Sequence, residues 1–184
     1  MTSITTTEVQ AVLNDADVLY AQDEVEAALD RMAAEITANL SSKNPLLLCT
    51  MIGGIVTAGK LLTRLNFPLT IDYVHASRYR GDTRGADLHW IAKPTESIAG
   101  REVLLIDDIF DEGLTLKALI EYCEAEGAAG VHTAVLVEKK CTKQCNFGVD
   151  YLGLHVEDRY VFGYGMDYKG YLRNAAGIYA VKES

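Results

Sequence analysis

The sequence predicts one α/β domain, a mainly parallel twisted sheet flanked by helices. Three observations carry this. Apolar runs without polar alternation suit strands buried on both faces: Leu46-Leu47-Leu48-Cys49, Val103-Leu104-Leu105-Ile106 and residues 131–137. Segments with helical spacing lie between these runs, so strands and helices alternate along the chain. No internal repeat, low-complexity tract or composition shift divides the 184 residues, a length that suffices for one domain with a substantial core.

In chain order, residues 1–7 are Thr-rich and expected to fray. Residues 23–40 carry Val25, Leu29, Met32, Ile36 and Leu40 at helical spacing and read as an amphipathic helix. The run at 46–49 is a buried strand. Gly53-Gly54 then leads into a second helix, with Ile55, Ala58, Leu62 and Leu65 expected to face inward. Pro68 precedes a strand over 69–75. Residues 76–87 lack apolar periodicity and include Ser77, Arg78, Tyr79, Arg80, Gly81 and Gly85. They are long for a connection, which suggests a mobile functional loop; the plainer reading is a solvated turn. Residues 88–92 form the returning strand.

The stretch around which the chain is organised is Val103-Leu104-Leu105-Ile106-Asp107-Asp108-Ile109-Phe110-Asp111-Glu112-Gly113-Leu114-Thr115-Leu116. An apolar strand runs into two adjacent carboxylates, which fall at its carboxyl end, where open α/β sheets bind ligands. Gly113 turns the chain, and a helix starts at Thr115 and reaches about residue 126, with Leu116, Leu119, Ile120 and Cys123 on one face. Amides at such a helix start cradle an anion, most often a phosphate. Carboxylates beside the cradle suit sugar hydroxyls or a hydrated metal riding on the phosphates. Residues 131–137 form another interior strand, ending at Glu138-Lys139-Lys140, and 149–154 a further one. Residues 156–171 are aromatic and Gly-rich, and 178–181 are expected to close the sheet.

Composition excludes several classes. The formal net charge is −9 and no dense basic cluster is present, so a nucleic-acid partner is not expected. Arg78, Arg80 and Arg84, and the pair Lys139-Lys140, are small enough groups to be anion sites in an active centre. No stretch approaches the roughly 18 apolar residues of a membrane span, and the amino terminus has no signal-peptide pattern. Cys141 and Cys145 lack the second pair that a zinc site needs, and Cys49 and Cys123 fall in apolar elements. A reducing, cytoplasmic setting fits these thiols.

Asp107-Asp108 followed by Asp-x-Gly-x-Thr at a helix start resembles the phosphoribosyl-diphosphate signature of the type I phosphoribosyltransferases. Leu48-Cys49-Thr50-Met51-Ile52-Gly53-Gly54 resembles the pyrophosphate-loop segment of the hypoxanthine-guanine branch, and Ser77-Arg78-Tyr79 its flexible catalytic loop. Leu136-Val137-Glu138-Lys139 is similar to its purine-lysine segment, and residues 158–168, followed by Tyr171-Leu172-Arg173, to its base-binding tail. These matches span 46–173, most of the chain. The resemblance implies the type I phosphoribosyltransferase fold, with a core over about 20–155 and a small hood from about 156–184 together with N-terminal residues.

It also implies a purine-salvage transferase that joins hypoxanthine or guanine to phosphoribosyl diphosphate, giving the nucleotide (IMP or GMP) and pyrophosphate. Amides of residues 111–115 (Asp111, Glu112, Gly113, Leu114, Thr115) and the Thr115 hydroxyl then hold the 5′-phosphate, and Asp107 and Asp108 the ribose hydroxyls. Ile52, Gly53 and Arg173 lie on the pyrophosphate. Lys139 donates to the 6-oxo oxygen, Tyr160 stacks on the purine, Val161 reaches its edge through backbone, and Asp167 completes the base site. Mg²⁺ is the implied cofactor, with Asp107, Asp108 and Asp167 as ligands, directly or through water. Asp111 exchanges the purine N7 proton, while Ser77 and Tyr79 close over the site. The implied partners are small-molecule substrates and a second copy of the chain, as dimer or tetramer; the 24–40 helix is one surface able to face it.

Taken singly, each residue has a duller explanation: solvated strand ends for Asp107 and Asp108, a surface pair for Lys139-Lys140, plain core for Tyr160. Their order along the chain favours the site. Two departures stand out. Glu112 and Leu114 occupy positions where familiar members carry Thr or Ser and a polar residue, so the Glu112 carboxylate must turn outward. Ile52 replaces a common Lys, and Met51-Ile52 matches a bond that is often cis. A non-enzymatic sensor of phosphoribosyl diphosphate that binds nucleic acid is the rival on the same fold; the acidic charge counts against it. A phosphoacceptor receiver domain places its acidic pair after an early strand, not beyond residue 100. Hypoxanthine, guanine and xanthine differ at the purine 2-position and are not ranked by side chains legible in sequence.

Overall fold

The computed structural model describes residues 4–78 and 88–182. The chain runs α1 (Thr6–Asp15), β1 (Asp17–Tyr20), α2 (Gln22–Leu40), β2 (Leu46–Thr50), α3 (Ile55–Leu62), β3 (Thr70–Arg78), β4 (Leu88–Ala92), β5 (Glu102–Phe110), α4 (Leu114–Ala125), β6 (Gly130–Lys140), β7 (Tyr151–Glu157), β8 (Val161–Phe162) and β9 (Ile178–Ala180). The main sheet has the order β4-β3-β2-β5-β6-β7; all its neighbours pair in parallel except β4, which is antiparallel at the edge. The α/β class read from the sequence is the observed one.

Side-chain alternation divides the core into two layers. Leu47 and Cys49 of β2 and Leu104 and Ile106 of β5 pack with Val25, Leu29, Met32 and Ile36 of α2 and with Ala58 and Leu61 of α3. Leu46, Leu48, Val103 and Leu105 pack on the opposite face with Leu116, Leu119 and Cys123 of α4. Helices cover both faces, so polar alternation would bury unpaired groups; this is why these strands are continuous apolar runs. Among the described residues no helix is long and apolar enough to cross a membrane.

Four expectations need correction. Residues 178–181 do not close the main sheet. β9 instead lies between β1 and β8 in a separate antiparallel sheet, with Val18 opposite Tyr179 and Val161 opposite Ala180. Local pattern marks a strand but not its partner. The amino terminus is not merely frayed: Thr5 and Glu8 form a reciprocal capping box that starts α1, the Thr5 hydroxyl accepting from the Glu8 amide at 3.2 Å and the Glu8 carboxylate from the Thr5 amide at 2.7 Å. Ile55 is 47% exposed at the first position of α3 rather than inward. β3 runs on through Ala76 and Ser77 to Arg78, so the expected loop starts later; Tyr79 and Arg80 through Asp87 lie outside the described residues.

The small sheet and the tail dock on the carboxyl edge of the main sheet. At Gly165, a Cβ would run into the Gly53 carbonyl, so these two backbone segments touch directly. Nearby, Glu26 of α2 joins three elements: it accepts from Lys60 Nζ, Arg64 Nη2 and the Tyr164 hydroxyl, each at 2.6 Å. Burial alone would raise the Glu26 carboxyl, but these three donors prevail and hold its pKa at about 2. The folded state therefore gains from Glu26 above the ordinary carboxyl pKa of 4.5, and the gain is lost as pH falls toward about 2. Replacing Glu26 by Gln should cost about 2 kcal/mol of unfolding free energy at pH 7, as charged hydrogen bonds do. In denaturant melts the gap to wild type should narrow steadily below pH 4.5; a gap independent of pH would contradict this account.

Candidate active site

The apolar run of β5 does not stop at the carboxylates. The strand continues through Asp107 and Asp108 to Phe110, so the acid pair lies within its last turn of ladder rather than beyond its end. Parallel pairing with β6 is kept through Ile109 and Phe110, which holds the backbone rigid beneath both side chains. Asp108 is 7% exposed and Asp107 is partly covered. Asp107 Oδ1 accepts from the Asp108 amide at 2.9 Å. Thr50, at the end of neighbouring β2, anchors to the Ile106 carbonyl at 3.0 Å with its side chain beside Asp107.

Burial and then the Asp108 charge push the Asp107 carboxyl well above its usual range. Burial raises Asp108 too, opposed by its hydrogen bond with Asp107 and by the Arg173 guanidinium, whose Nη1 lies 3.9 Å from Asp108 Oδ2. Two carboxylates kept this close and this dry are poised to receive hydroxyl donors or a cation, either of which would offset the repulsion.

After Phe110 the chain turns through exposed Asp111 and Glu112. Gly113 caps α4 at φ 85°, a left-handed conformation that L side chains rarely adopt, and a Cβ there would strike Cys145 Sγ and the Phe110 ring. The helix begins at Leu114, one residue earlier than expected. Every residue from Asp107 to Leu116, including Leu114 and Thr115, lines a cleft of about 880 Å³. Amides at the head of α4 thus border open space, the arrangement that binds phosphate. The Glu112 side chain is exposed, and its carbonyl accepts from the Gln144 amide at 2.9 Å, which fixes the outward turn.

A second hollow of about 210 Å³ shares Asp108, Ile109 and Asp111 with the cleft and adds Lys139, Tyr160, Val161, Met166 and Asp167. Lys139 reaches across from the end of β6, its Nζ 3.3 Å from Asp111 Oδ2 and 3.5 Å from Asp158 Oδ1. Tyr160 is 51% exposed and meets Tyr168 edge-on at 5.5 Å, which leaves ring surface available for stacking. Val161 is buried in β8. Asp167 is fully engaged: Oδ1 accepts from Arg173 Nη2 at 2.6 Å and Oδ2 from the Gly170 amide at 2.7 Å. On the other rim, Met51-Ile52 is cis, Gly53 lies against the Asp108 carboxylate, and the Ile52 side chain is 52% exposed. Ser77 lies in β3, in register with His89 of β4, and Tyr79 lies outside the described residues.

Thr50 and Asp158 fall in segments matched to the family but carry no individual role in the sequence reading, and Cys141 is not placed at the site at all. Thr50 closes an otherwise apolar strand, a signal that was present. Asp158 stands next to the aromatic tail and pairs with Lys139. Cys141 Sγ donates to Asp111 Oδ1 at 3.3 Å; nothing in a lone thiol beyond a strand end pointed to it. Among the described residues no three His, Cys, Asp or Glu side chains converge as a metal cage. Asp107 and Asp108 nevertheless offer hard oxygens of the kind Mg²⁺ takes, provided phosphates and water supply the remaining positions, as is usual for that ion. Asp167 already accepts one bond on each oxygen, from Arg173 and from the Gly170 amide, so a cation there would share these oxygens with a guanidinium.

The match to known proteins agrees with this geometry. Residues 15–169 match the model of the phosphoribosyl transferase domain. The hypoxanthine-guanine-xanthine phosphoribosyltransferase of Tritrichomonas foetus is 34% identical over 168 residues, covering 91% of this chain and 92% of that protein. The hypoxanthine-guanine phosphoribosyltransferase of Streptococcus pneumoniae is 32% identical over 167 residues, covering 90% and 93%. Among solved structures, a hypoxanthine phosphoribosyltransferase from Staphylococcus aureus superposes with a TM-score of 0.88 at 26% identity, covering 97% of each chain. A hypoxanthine-guanine-xanthine phosphoribosyltransferase superposes at 0.84 with 32% identity, covering 92% and 99%. With the fold, the acid pair and the glycine-capped helix in agreement, the chain belongs to the phosphoribosyl transferase family, among its hypoxanthine-guanine phosphoribosyltransferases.

Proposed function

We propose that this enzyme transfers the 5-phosphoribosyl group of phosphoribosyl diphosphate to hypoxanthine or guanine, releasing pyrophosphate and forming IMP or GMP. The observation that carries this is the Lys139–Asp111 pair at 3.3 Å, set between a base-sized hollow and the larger cleft at the head of α4. The purine N9 forms the new bond to the ribose carbon as the bond to pyrophosphate breaks. Asp111 takes the N7 proton as the ring loses electron density. Lys139 donates to the 6-oxo oxygen, and adenine, which presents a donor there, meets the partly covered ammonium with the wrong partner. Tyr160 stacks on the base and the Val161 backbone meets its edge. Amides of Gly113, Leu114 and Thr115 hold the 5′-phosphate. Asp107 and Asp108 accept from the ribose hydroxyls, which favours their charged forms. Gly53 and Arg173 contact the pyrophosphate, and Ser77 and Tyr79 close over the reacting centre.

Mg²⁺, held by Asp107 and Asp108 with substrate oxygens, would neutralise the departing pyrophosphate. A self-association surface is supported by exposed Ile55, Ile71 and Tyr73, three large apolar side chains lining a hollow of about 310 Å³ between β2, α3 and β3. Four free thiols fit a reducing compartment, the cytoplasm. Xanthine is the second reading for the base, favoured by the name of the relative from Tritrichomonas foetus.

Pyrophosphate release measured with hypoxanthine, guanine, xanthine and adenine, with and without Mg²⁺, tests the proposal: turnover should require a 6-oxopurine and the metal, and turnover of adenine alone would refute it. Replacing Lys139 by Ala should erase most of the preference over adenine, seen as a fall in kcat/KM of about 100-fold for hypoxanthine, or near 3 kcal/mol of transition-state binding. Replacing Asp107 by Asn should act in opposite directions on stability and function. Its raised pKa means the folded state favours the protonated acid, so wild type gains stability as pH falls through that pKa. The Asn variant should melt higher at pH 7 while its KM for phosphoribosyl diphosphate rises; a lower melting temperature would show that the pair is not a net electrostatic cost.

A further inference from the structure

Hydrogen bonding between β5 and β6 ends at the Phe110–Glu138 pair. One residue further along each strand stand the two groups that meet the base, Asp111 and Lys139. Their separation is therefore set beyond the last rung of the ladder, where backbone pairing no longer holds the strands together. Lys143, in the segment after β6, reaches back to this point. Its Nζ donates to the Phe110 carbonyl at 3.2 Å and to the Lys139 carbonyl at 2.5 Å, one acceptor on each strand. The same ammonium lies 4.7 Å from the centre of the Phe110 ring and 3.6 Å from Glu138 Oε1. Glu138 in turn faces His155, with Nδ1 at 3.4 Å. The Lys143 side chain is only 20% exposed, and Cys141 Sγ, which donates to Asp111, is 3.8 Å from its Nζ.

We infer that Lys143 is a positioning residue for the purine: its ammonium clamps the carbonyl ends of β5 and β6 and so fixes the gap between the Asp111 carboxylate and the Lys139 ammonium. This rests on the transferase reading of the site. Lys143 does not line either hollow. It acts through the two residues that do. An ordinary surface ion pair with Glu138 would be worth little and would leave catalysis alone. Bonds to two carbonyls, each next to a group proposed to meet the base, make a different prediction. The cradle has backbone bonds that do not use the Lys143 side chain: the Lys117 amide donates to the Gly113 carbonyl at 2.9 Å within α4, and the amide of adjacent Gln144 to the Glu112 carbonyl at 2.9 Å. Loosening the clamp should therefore disturb the base and spare the sugar phosphate.

Steady-state kinetics of Lys143→Met, Lys143→Gln and Lys143→Arg test this, with thermal melts of each. A misplacement of the order of an ångström is costly, so Lys143→Met should raise KM for hypoxanthine and lower kcat by about ten-fold each, with KM for phosphoribosyl diphosphate within about two-fold of wild type. Lys143→Arg, which keeps a charged donor over the Phe110 ring, should recover most of the loss. If Lys143→Met does not fold, Lys143→Gln is read in its place with the same criteria. An unchanged KM for hypoxanthine, parallel rises in both KM values, or no recovery with Arg overturns the inference while leaving the transferase reading intact. A wild-type chain that turns over no purine base removes that reading and the inference with it.

Discussion

Two carboxylates side by side at the end of a buried strand repel each other, and the surrounding structure is arranged to keep them there. Asp107 and Asp108 occupy consecutive positions of β5, and the backbone beneath them is pinned. Pairing of β5 with β6 beneath them, the Thr50 anchor on the Ile106 carbonyl, and the Asp107 bond to the Asp108 amide do the pinning. Arg173 approaches from the tail to temper the charge. Such an arrangement is costly in the absence of substrate and useful only if something arrives to satisfy it. This is the usual relation between stability and function at a pre-formed polar site.

Much of this was legible in the sequence because the chemistry is local. A continuous apolar run, two adjacent acids, a glycine and a helical repeat lie within residues 103–123, and each constrains its neighbours. The buried strands β2, β5 and β6 were visible for the same reason: helices on both faces demand unbroken apolar runs. What escaped depends on contacts distant in sequence. β9 carries a strand pattern, but its partner β1 lies some 160 residues away and is only four residues long, too short to show a period. Thr50, Asp158 and Cys141 enter the site only because β2, β6 and the tail converge at one edge. The capping box at Thr5 and Glu8 was local and readable, and the Thr-rich composition around it hid the signal.

The electrostatic design of the molecule also divides in two. At Glu26, donors outnumber the carboxylate and lower its pKa; at Asp107 burial and then the Asp108 charge raise it, and at Asp108 burial does. The first site holds α2, the α3 region and the tail together; the second lines the cleft at the head of α4. A single acidic chain thus sets one carboxylate among donors as cement and buries another pair at the edge of an open cleft. The difference comes from neighbours, since the residue types are nearly the same.

The contact between Gly53 and Gly165 carries one more consequence. Main chain meets main chain there, between the rim of the pyrophosphate loop and the hood. The joint has no give: a methyl group at Gly165 would strike the Gly53 carbonyl and lever the tail, with Arg173 and Tyr164, away from the acid pair, while one at Gly53 would strike the Asp108 carboxylate itself. Evolution or design could therefore vary the hood's outer face freely while this one hinge-like seam admits only glycine, and grafting a tail from a distant relative would succeed or fail at that seam.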